Sequence, residues 1–367
     1  MSENKVYTAI GMMSGTSLDG IDVALVETDG KDHCILKDFR CYDYDDETRN
    51  QLKKILGRRY QDEDTQLAEK LLTNAHIQAI KQFDHEADII GFHGQTIIHD
   101  PAQKLSWQIG DPQRLADETG VNVVGDMRQA DIEAGGQGAP LLPLCHRAFA
   151  QTIGKPIAIL NLGGVGNLTW LGKERTDILA FDTGPANALM DDVVKEKTGQ
   201  SYDFDGKLAN AGTPQDSILE TWLGHDYFKR IPPKSLDRNE WDVAEIYDLG
   251  LEDAIATLAM FTVQSVLMGL EQLPGAPNSL YVAGGGRHNK FIMHQLNELL
   301  SYPVEPVEAI GWSGDGLEAQ GFGYLAVRSL LGLALTLPET TGIPAPATGG
   351  KLYSSSAKGA LLEAQAR

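Results

Sequence analysis

Gly11-Met12-Met13-Ser14-Gly15-Thr16-Ser17-Leu18-Asp19-Gly20-Ile21-Asp22 is the stretch from which the fold is read. It follows an apolar run, Tyr7 to Met13, and leads into Ile21 to Glu27, which alternates as a half-buried strand does. The reading is a β-hairpin closed by a glycine turn. The pattern recurs midway along the chain. Pro156 to Asn161 is a strand, Gly163-Gly164-Val165-Gly166 turns, and Asn167 to Leu171 returns. Ile178 to Phe181 is a third strand ending at Asp182-Thr183-Gly184-Pro185, and a helix from Asn187 to Lys197 follows. Each half therefore opens with strand, glycine turn, strand. That is a weak sign of a duplicated fold, with a boundary between Gln151 and Lys155.

Outward from these hairpins the pattern is α/β. Leu67, Leu71, Leu72, Ala75, Ile77, Ile80 and Phe83 recur near a 3.6-residue period and predict a helix. Asp88 to Phe92 predicts a short buried strand ending at His93-Gly94-Gln95-Thr96, and Trp107 to Ile109 and Val121 to Val124 predict two more. Gly135 to Pro140 is a loop before a helix that reaches about Ala150. In the second half, Leu251, Ile255, Leu258, Thr262 and Val266 mark one face of a long helix. Leu280 to Ala283 is a strand entering Gly284-Gly285-Gly286, a helix starts near Asn289, and Gly316 to Leu335 is another helix. After Pro338 the chain is rich in Pro, Gly, Thr and Ser and reads as a mobile tail. The expected domains are residues 1–153 and 154–337, with 338–367 as tail.

Composition bounds the function. The 367 residues suffice for about two domains. Mean hydropathy is −0.23, which excludes a polytopic membrane protein. The formal net charge of −20 disfavours nucleic acid and anionic membranes as partners, because phosphates need Lys and Arg. Three cysteines, Cys34, Cys41 and Cys145, form no CxxC and fit a reducing compartment. No signal peptide is read at the N-terminus, so a cytoplasmic location is expected. The apolar stretch Ala254 to Leu270 carries Thr257, Thr262, Gln264 and Ser265 and reads as a buried helix.

Several segments suit phosphate and sugar chemistry. The turn Ser14 to Gly20 points successive backbone N–H groups into one concavity among three hydroxyls, an anion nest. Asp19 there is a hard oxygen ligand suited to Mg²⁺ through water. The stretch reads equally as a plain hairpin turn. Gly163 to Thr169 has Gly164 and Gly166 at dinucleotide spacing, but Thr169 replaces the third glycine and a strand follows where a helix is needed. A phosphate-contacting hairpin fits better. Asp182, at a strand end before a glycine turn, fits a general base; an Asx-turn or helix cap is the competing reading. Gly284 to Gly286 lets backbone approach a flat ring, on which Arg287 would stack. Arg128 suits a bidentate carboxylate clamp, and His93, Gln95 and Asp131 suit sugar hydroxyls or an amide. A zinc site from His93 and His99 has the wrong spacing.

Taken in order, these motifs resemble the anhydro-N-acetylmuramic acid kinase family. The resemblance rests on Gly11 to Asp22, His93-Gly94-Gln95-Thr96, the block from Gly125-Asp126-Met127-Arg128 to Pro140, Asn161 to Asn167, and Phe181-Asp182-Thr183-Gly184-Pro185. Pro232-Pro233-Lys234-Ser235 with Arg238 also looks like that family, and the matches run from Gly11 to about Leu325. The resemblance implies an actin-like, ribonuclease H-like ATPase fold, two α/β domains around a central nucleotide and substrate cleft. It implies opening of the 1,6-anhydro ring of anhydro-N-acetylmuramic acid by water, with phosphorylation of O6 by ATP and Mg²⁺, in murein recycling. Met12, Met13, Ser14, Gly15, Thr16, Ser17, Leu18 and Asp19 match the ATP-phosphate segment. Gly163, Gly164, Gly166 and Asn167 would form a second phosphate hairpin. Gly284, Gly285, Gly286 and Asn289 would meet adenosine. Asp182 matches the general base. His93, Gln95, Arg128, Asp131 and Gly138 would bind the amino sugar, with Arg128 on its lactyl carboxylate. Asp19 or Asp22 would hold the metal through water. A homodimer is compatible with the resemblance, but no segment specifies it.

One departure is Ala186, where the family often has glycine after Thr-Gly-Pro; a left-handed backbone there would cost alanine about 1–2 kcal/mol. Three other readings compete with this one. A nucleotide-dependent binding or chaperone protein on this fold is distinguished by the sugar-side block of His93, Gln95, Arg128, Asp131 and the Gly135 to Pro140 loop, and a chaperone would need an added peptide-binding domain for which the chain has no room. A sugar kinase in which Asp182 deprotonates a hydroxyl directly differs only through the family match. A metal-dependent hydrolase that ignores ATP fits least.

Overall fold

The computed structural model describes residues 5–15, 18–236 and 241–356. Its contacts divide the chain into two units. The first takes the described residues of Met1–Thr152, Gly316–Pro338 and Ile343–Arg367, and the second takes Ile153–Asp315 and Glu339–Gly342.

The first unit is built on β1 (Tyr7–Ser14), β2 (Gly20–Thr28), β3 (Cys34–Asp43), β4 (Ile89–Asp100), β5 (Leu105–Ile109) and β6 (Asn122–Gly125). Five of these lie in the order β3-β2-β1-β4-β6, and β5 pairs with the far part of β4. β1, β2 and β3 pair antiparallel, while β4 joins β1, and β6 joins β4, in parallel. Alternate residues of β1 serve opposite faces. Ile10 and Met12 pack toward the helix Glu63–Phe83, and Ala9 packs toward the helix Leu317–Leu330. Glu63–Phe83 is started by a capping box in which Asp62 accepts from the Thr65 amide and Thr65 accepts from the Asp62 amide.

The second unit repeats the plan. β7 (Ile157–Leu162), β8 (Val165–Leu171), β9 (Ile178–Pro185), β10 (Leu280–Ala283) and β11 (Val304–Pro306) lie in the order β9-β8-β7-β10-β11. Again the first three strands are antiparallel and the last two join in parallel. The same order in both sheets is the actin-like, ribonuclease H-like arrangement. The helix Leu251–Glu271 lies in the core of this unit. Among the described residues it alone is long and apolar enough to cross a membrane, and 67% of its most apolar window is buried in the protein.

Three sequence expectations need correction. The helix near Gly316 spans Leu317–Leu330 and packs on β1, β2 and β4, so it belongs to the first unit and not to the second. The cause is close backbone approach. A Cβ on Gly11 would lie 1.8 Å from the Ala319 carbonyl oxygen, and one on Gly91 would lie 2.0 Å from that of Phe322. The segment after Pro338 is not a free tail through residue 356. β12 (Lys351–Tyr353) pairs antiparallel with β6, and the Tyr353 hydroxyl donates to Asp126 Oδ2 at 2.6 Å. Finally, β4 does not stop at Phe92 but continues through His93-Gly94-Gln95-Thr96 to Asp100.

Candidate functional site

In the first unit the turn between β1 and β2 sits at the end of a strand whose main chain is already paired. Met12 is in register with Val23 on one side and Phe92 on the other, and its side chain is buried in the core. The expected phosphate segment therefore narrows to the turn after Ser14. Leu18 donates its amide to the Gly15 carbonyl at 3.1 Å and buries its side chain. Thr16 and Ser17 lie outside the described residues. The Ser14 hydroxyl is not offered to a phosphate. It donates to Gln95 Oε1 at 2.6 Å and lies 2.6 Å from the Tyr44 hydroxyl. Gln95 is fully buried, and its Nε2 donates to the Thr96 carbonyl at 3.1 Å. Gln95 thus ties the turn to β4 and does not face a sugar, which corrects the expectation for both residues. Asp19 is exposed in the turn. Asp22, on β2, hydrogen-bonds Cys41 and, with burial, helps push that thiol up to about 12. Among the described residues no group of three or more His, Cys, Asp or Glu could cage a metal.

A second cluster forms around Arg128. Its Nε donates to His93 Nε2 at 3.1 Å and its Nη1 donates to the Gly138 carbonyl at 2.7 Å. The opposite imidazole nitrogen, Nδ1, lies 2.8 Å from the Gly94 carbonyl, the contact of an Nδ1–H donor. Burial, reinforced by the Arg128 charge, holds His93 well below the usual histidine range. A neutral imidazole is what Arg128 needs, because only a neutral ring leaves Nε2 as an acceptor. Asp131 is also in this cluster but turned inward. Its Oδ1 accepts from the Gly138 amide at 2.6 Å, so it holds the 135–140 loop and does not offer that oxygen to a sugar.

Sequence reasoning missed Glu318, in the first turn of Leu317–Leu330. Burial pushes its carboxyl above the usual range, and the nearby Arg128 charge opposes that rise. Its charge is thus coupled to that of Arg128. Its signal was hidden inside an apolar helical run.

In the second unit Asp182 is not at a strand end. It lies within β9, opposite Asn167, and the next matched pair is Gly166 with Gly184. Thr183 is thus the extra residue of a β-bulge, a device that re-aims neighbouring side chains. Asp182 is 8% exposed. Its amide donates to the Lys234 carbonyl at 2.9 Å, its Oδ2 accepts from the Leu236 amide at 2.8 Å, and its carbonyl accepts from the Tyr227 hydroxyl. Backbone and side chain are held together, as a base needs for a fixed aim.

The β7–β8 turn is latched by the helix Asn187–Thr198. The Asn187 amide donates to the Gly163 carbonyl at 2.9 Å, and the Ala186 amide donates to that of Gly164 at 3.1 Å. Ala186 has φ −126°, so the left-handed cost does not arise. Gly284 has φ +74°, and a Cβ there would lie 2.6 Å from Asn161 Oδ1; the expected adenosine turn thus needs glycine at this position. Asn289 caps the helix Lys290–Leu299, its Oδ1 accepting from the Phe291 and Ile292 amides at 3.1 and 3.2 Å. Arg287 does not stand free to stack on a ring. It donates to Glu308 at 2.9 Å, Asp315 at 2.8 Å and the Gly284 carbonyl at 3.0 Å. That corrects its expected role: it braces the turn from behind.

Comparison with known proteins follows this geometry. The family model for anhydro-N-acetylmuramic acid kinase matches residues 7–355. The chain is 46% identical to an anhydro-N-acetylmuramic acid kinase from Rhizorhabdus wittichii, over 93% of this chain and 97% of that one. It is 48% identical to one from Paramagnetospirillum magneticum, over 94% and 98%. Among solved structures it is similar to a ROK family glucokinase from Streptomyces griseus in complex with glucose and AMPPNP. That similarity has TM-score 0.42 and 12% identity, over 87% of this chain and 99% of that one. The chain belongs to the anhydro-N-acetylmuramic acid kinase family.

Proposed function

We propose, from membership of the anhydro-N-acetylmuramic acid kinase family, that the chain opens 1,6-anhydro-N-acetylmuramic acid with water and phosphorylates O6 with ATP. The products are N-acetylmuramic acid 6-phosphate and ADP, and the reaction belongs to murein recycling. The observation that carries the reaction is the match over residues 7–355. The roles of single residues rest on the geometry of each unit.

Asp182 takes a proton from water as that water forms the new bond to the anomeric carbon. The C1–O6 bond breaks, and O6 accepts the γ-phosphoryl group. Phosphoryl transfer needs positioning and charge neutralisation more than covalent chemistry. The amides of the turn after Ser14 and of the Gly163–Gly166 turn supply donors for the phosphates, and the turn at Gly284 receives adenosine. Arg128, oriented by His93 and the Gly138 carbonyl, takes the lactyl carboxylate. Mg²⁺ would neutralise phosphate charge, with Asp19 as its water-mediated carboxylate. That ion keeps most of its waters and takes one or two carboxylates plus phosphate oxygens, a demand that one exposed carboxylate in the turn can meet. A cytoplasmic setting fits the need for ATP.

The test is ADP release measured with and without the anhydro sugar. ADP formed in step with a phosphorylated muramic product, and absent without sugar, is expected. ADP formation that ignores the sugar would overturn the reading.

A further inference from the structure

The motif Pro232-Pro233-Lys234-Ser235 has no part in the chemistry above, yet it contains an unusual group. Lys234 is 7% exposed. Among the described residues its Nζ makes one hydrogen bond, to the Tyr227 carbonyl at 3.2 Å, and no carboxylate there pairs with it. Burying an ammonium is costly unless its surroundings compensate. Here they are aromatic. Nζ lies 4.7 Å from the Tyr227 ring centroid and 5.8 Å from that of Phe181. Burial, with the Arg230 charge added, lowers the lysine to about 8. Arg230 sits over the same Tyr227 ring, 5.3 Å from its centroid.

The same residues surround Asp182. The Lys234 carbonyl accepts from the Asp182 amide, and two residues on, the Leu236 amide donates to the Asp182 carboxylate. Tyr227, whose carbonyl and ring hold the ammonium, donates its hydroxyl to the Asp182 carbonyl. β9 is an edge strand, so its outer side has no strand partner and the 234–236 segment stands in for one. That segment has no regular structure of its own to fix its place.

We propose that Lys234 is a positioning residue for Asp182: its ammonium, sunk between Tyr227 and Phe181, anchors the 234–236 segment and Tyr227, which together aim that carboxylate. This rests on the reading of Asp182 as the base. Phe181 and Asp182 are successive strand residues on opposite faces, so a group over the Phe181 ring reaches the base through main chain and Tyr227. Lys234 therefore affects the rate and not the binding of either substrate.

The test uses the full chain with Mg-ATP and the anhydro sugar, comparing Lys234→Met, Lys234→Arg, Tyr227→Phe and Asp182→Asn. Lys234→Met should lower kcat by about tenfold to a hundredfold, the scale of loss from a misplaced catalytic group, with both KM values within about threefold. Lys234→Arg should restore most of the rate, since it keeps the cation. Tyr227→Phe, which removes one hydroxyl and keeps the ring, should lower kcat with the same KM pattern, and it decides the matter if Lys234→Met does not fold. In an Asp182→Asn background, Lys234→Met should cost nothing further. An unchanged kcat in the folded variants, or a loss that adds fully to that of Asp182→Asn, overturns the proposal. An Asp182→Asn variant as active as the native chain would instead sink the reading of Asp182 itself, whatever Lys234 does.

Discussion

Arg128 and His93 depend on each other's charge state. The imidazole accepts from Arg128 Nε only while neutral, and burial beside that cation keeps it neutral. Arg128→Ala should raise KM for the muramic substrate by about tenfold or more, the value of a charge-assisted hydrogen bond. An analogue lacking the lactyl group should be affected far less, and equal effects on both would contradict the assignment. At this scale the sequence named the residue types but not their direction. Ser14, Gln95 and Asp131 are expected to face ligands from the resemblance and from their place beside glycine turns, and neither says which way a side chain points. The structure turns all three inward, where each satisfies a buried neighbour. Arg287 was misread for a related reason. Its partners Glu308 and Asp315 lie 21 and 28 residues away, so no local pattern discloses them.

Among elements, the hairpins were legible because glycine turns between apolar runs have few other uses. β7, β8 and β10 fall within a residue or two of their expected bounds. β3 went unread. It is half exposed, and the register slips between Leu25 and Val26 of its partner, so neither burial nor alternation is strong. The bulge that places Asp182 inside β9 could not be read either, since it depends on which residues of β8 lie opposite. The sequence predicts a helix from Gly316 to Leu335 in the second half; it ends at Leu330 and belongs to the first unit. Its partner is set by Gly11 and Gly91, which look like turn or strand glycines until the helix is laid against them. β12 is only three residues long, and its Pro- and Gly-rich surroundings carry the signature of a tail.

For the whole molecule, the two sheets of equal order account for the repeat glimpsed in the sequence. The first of these units also holds a pH liability. His76, His93 and His146 are all buried there; burial lowers His76 to about 4 and His146 to about 3, and holds His93 well below its usual range. The folded form keeps these rings neutral, whereas the unfolded chain takes up protons as pH falls below about 6.5. Stability is therefore full above that pH and declines below it, by about 1.4 kcal/mol per pH unit for each histidine until its folded value is reached. The urea midpoint of the first unit should be clearly lower at about pH 5 than at about pH 7; equal midpoints would contradict the assignment of three neutral buried rings.

Under the proposed function one chain couples hydrolytic ring opening to phosphoryl transfer, with Asp182 activating the water. The most direct measurement is the mass of the product formed from Mg-ATP and 1,6-anhydro-N-acetylmuramic acid in heavy-oxygen water, with the native chain and with Asp182→Asn. The expected product is a sugar phosphate carrying one labelled oxygen at the anomeric carbon, formed by Asp182→Asn at a rate about a hundredfold to ten-thousandfold lower. A phosphorylated product that keeps its anhydro ring, or labelled product from Asp182→Asn at the native rate, would contradict it.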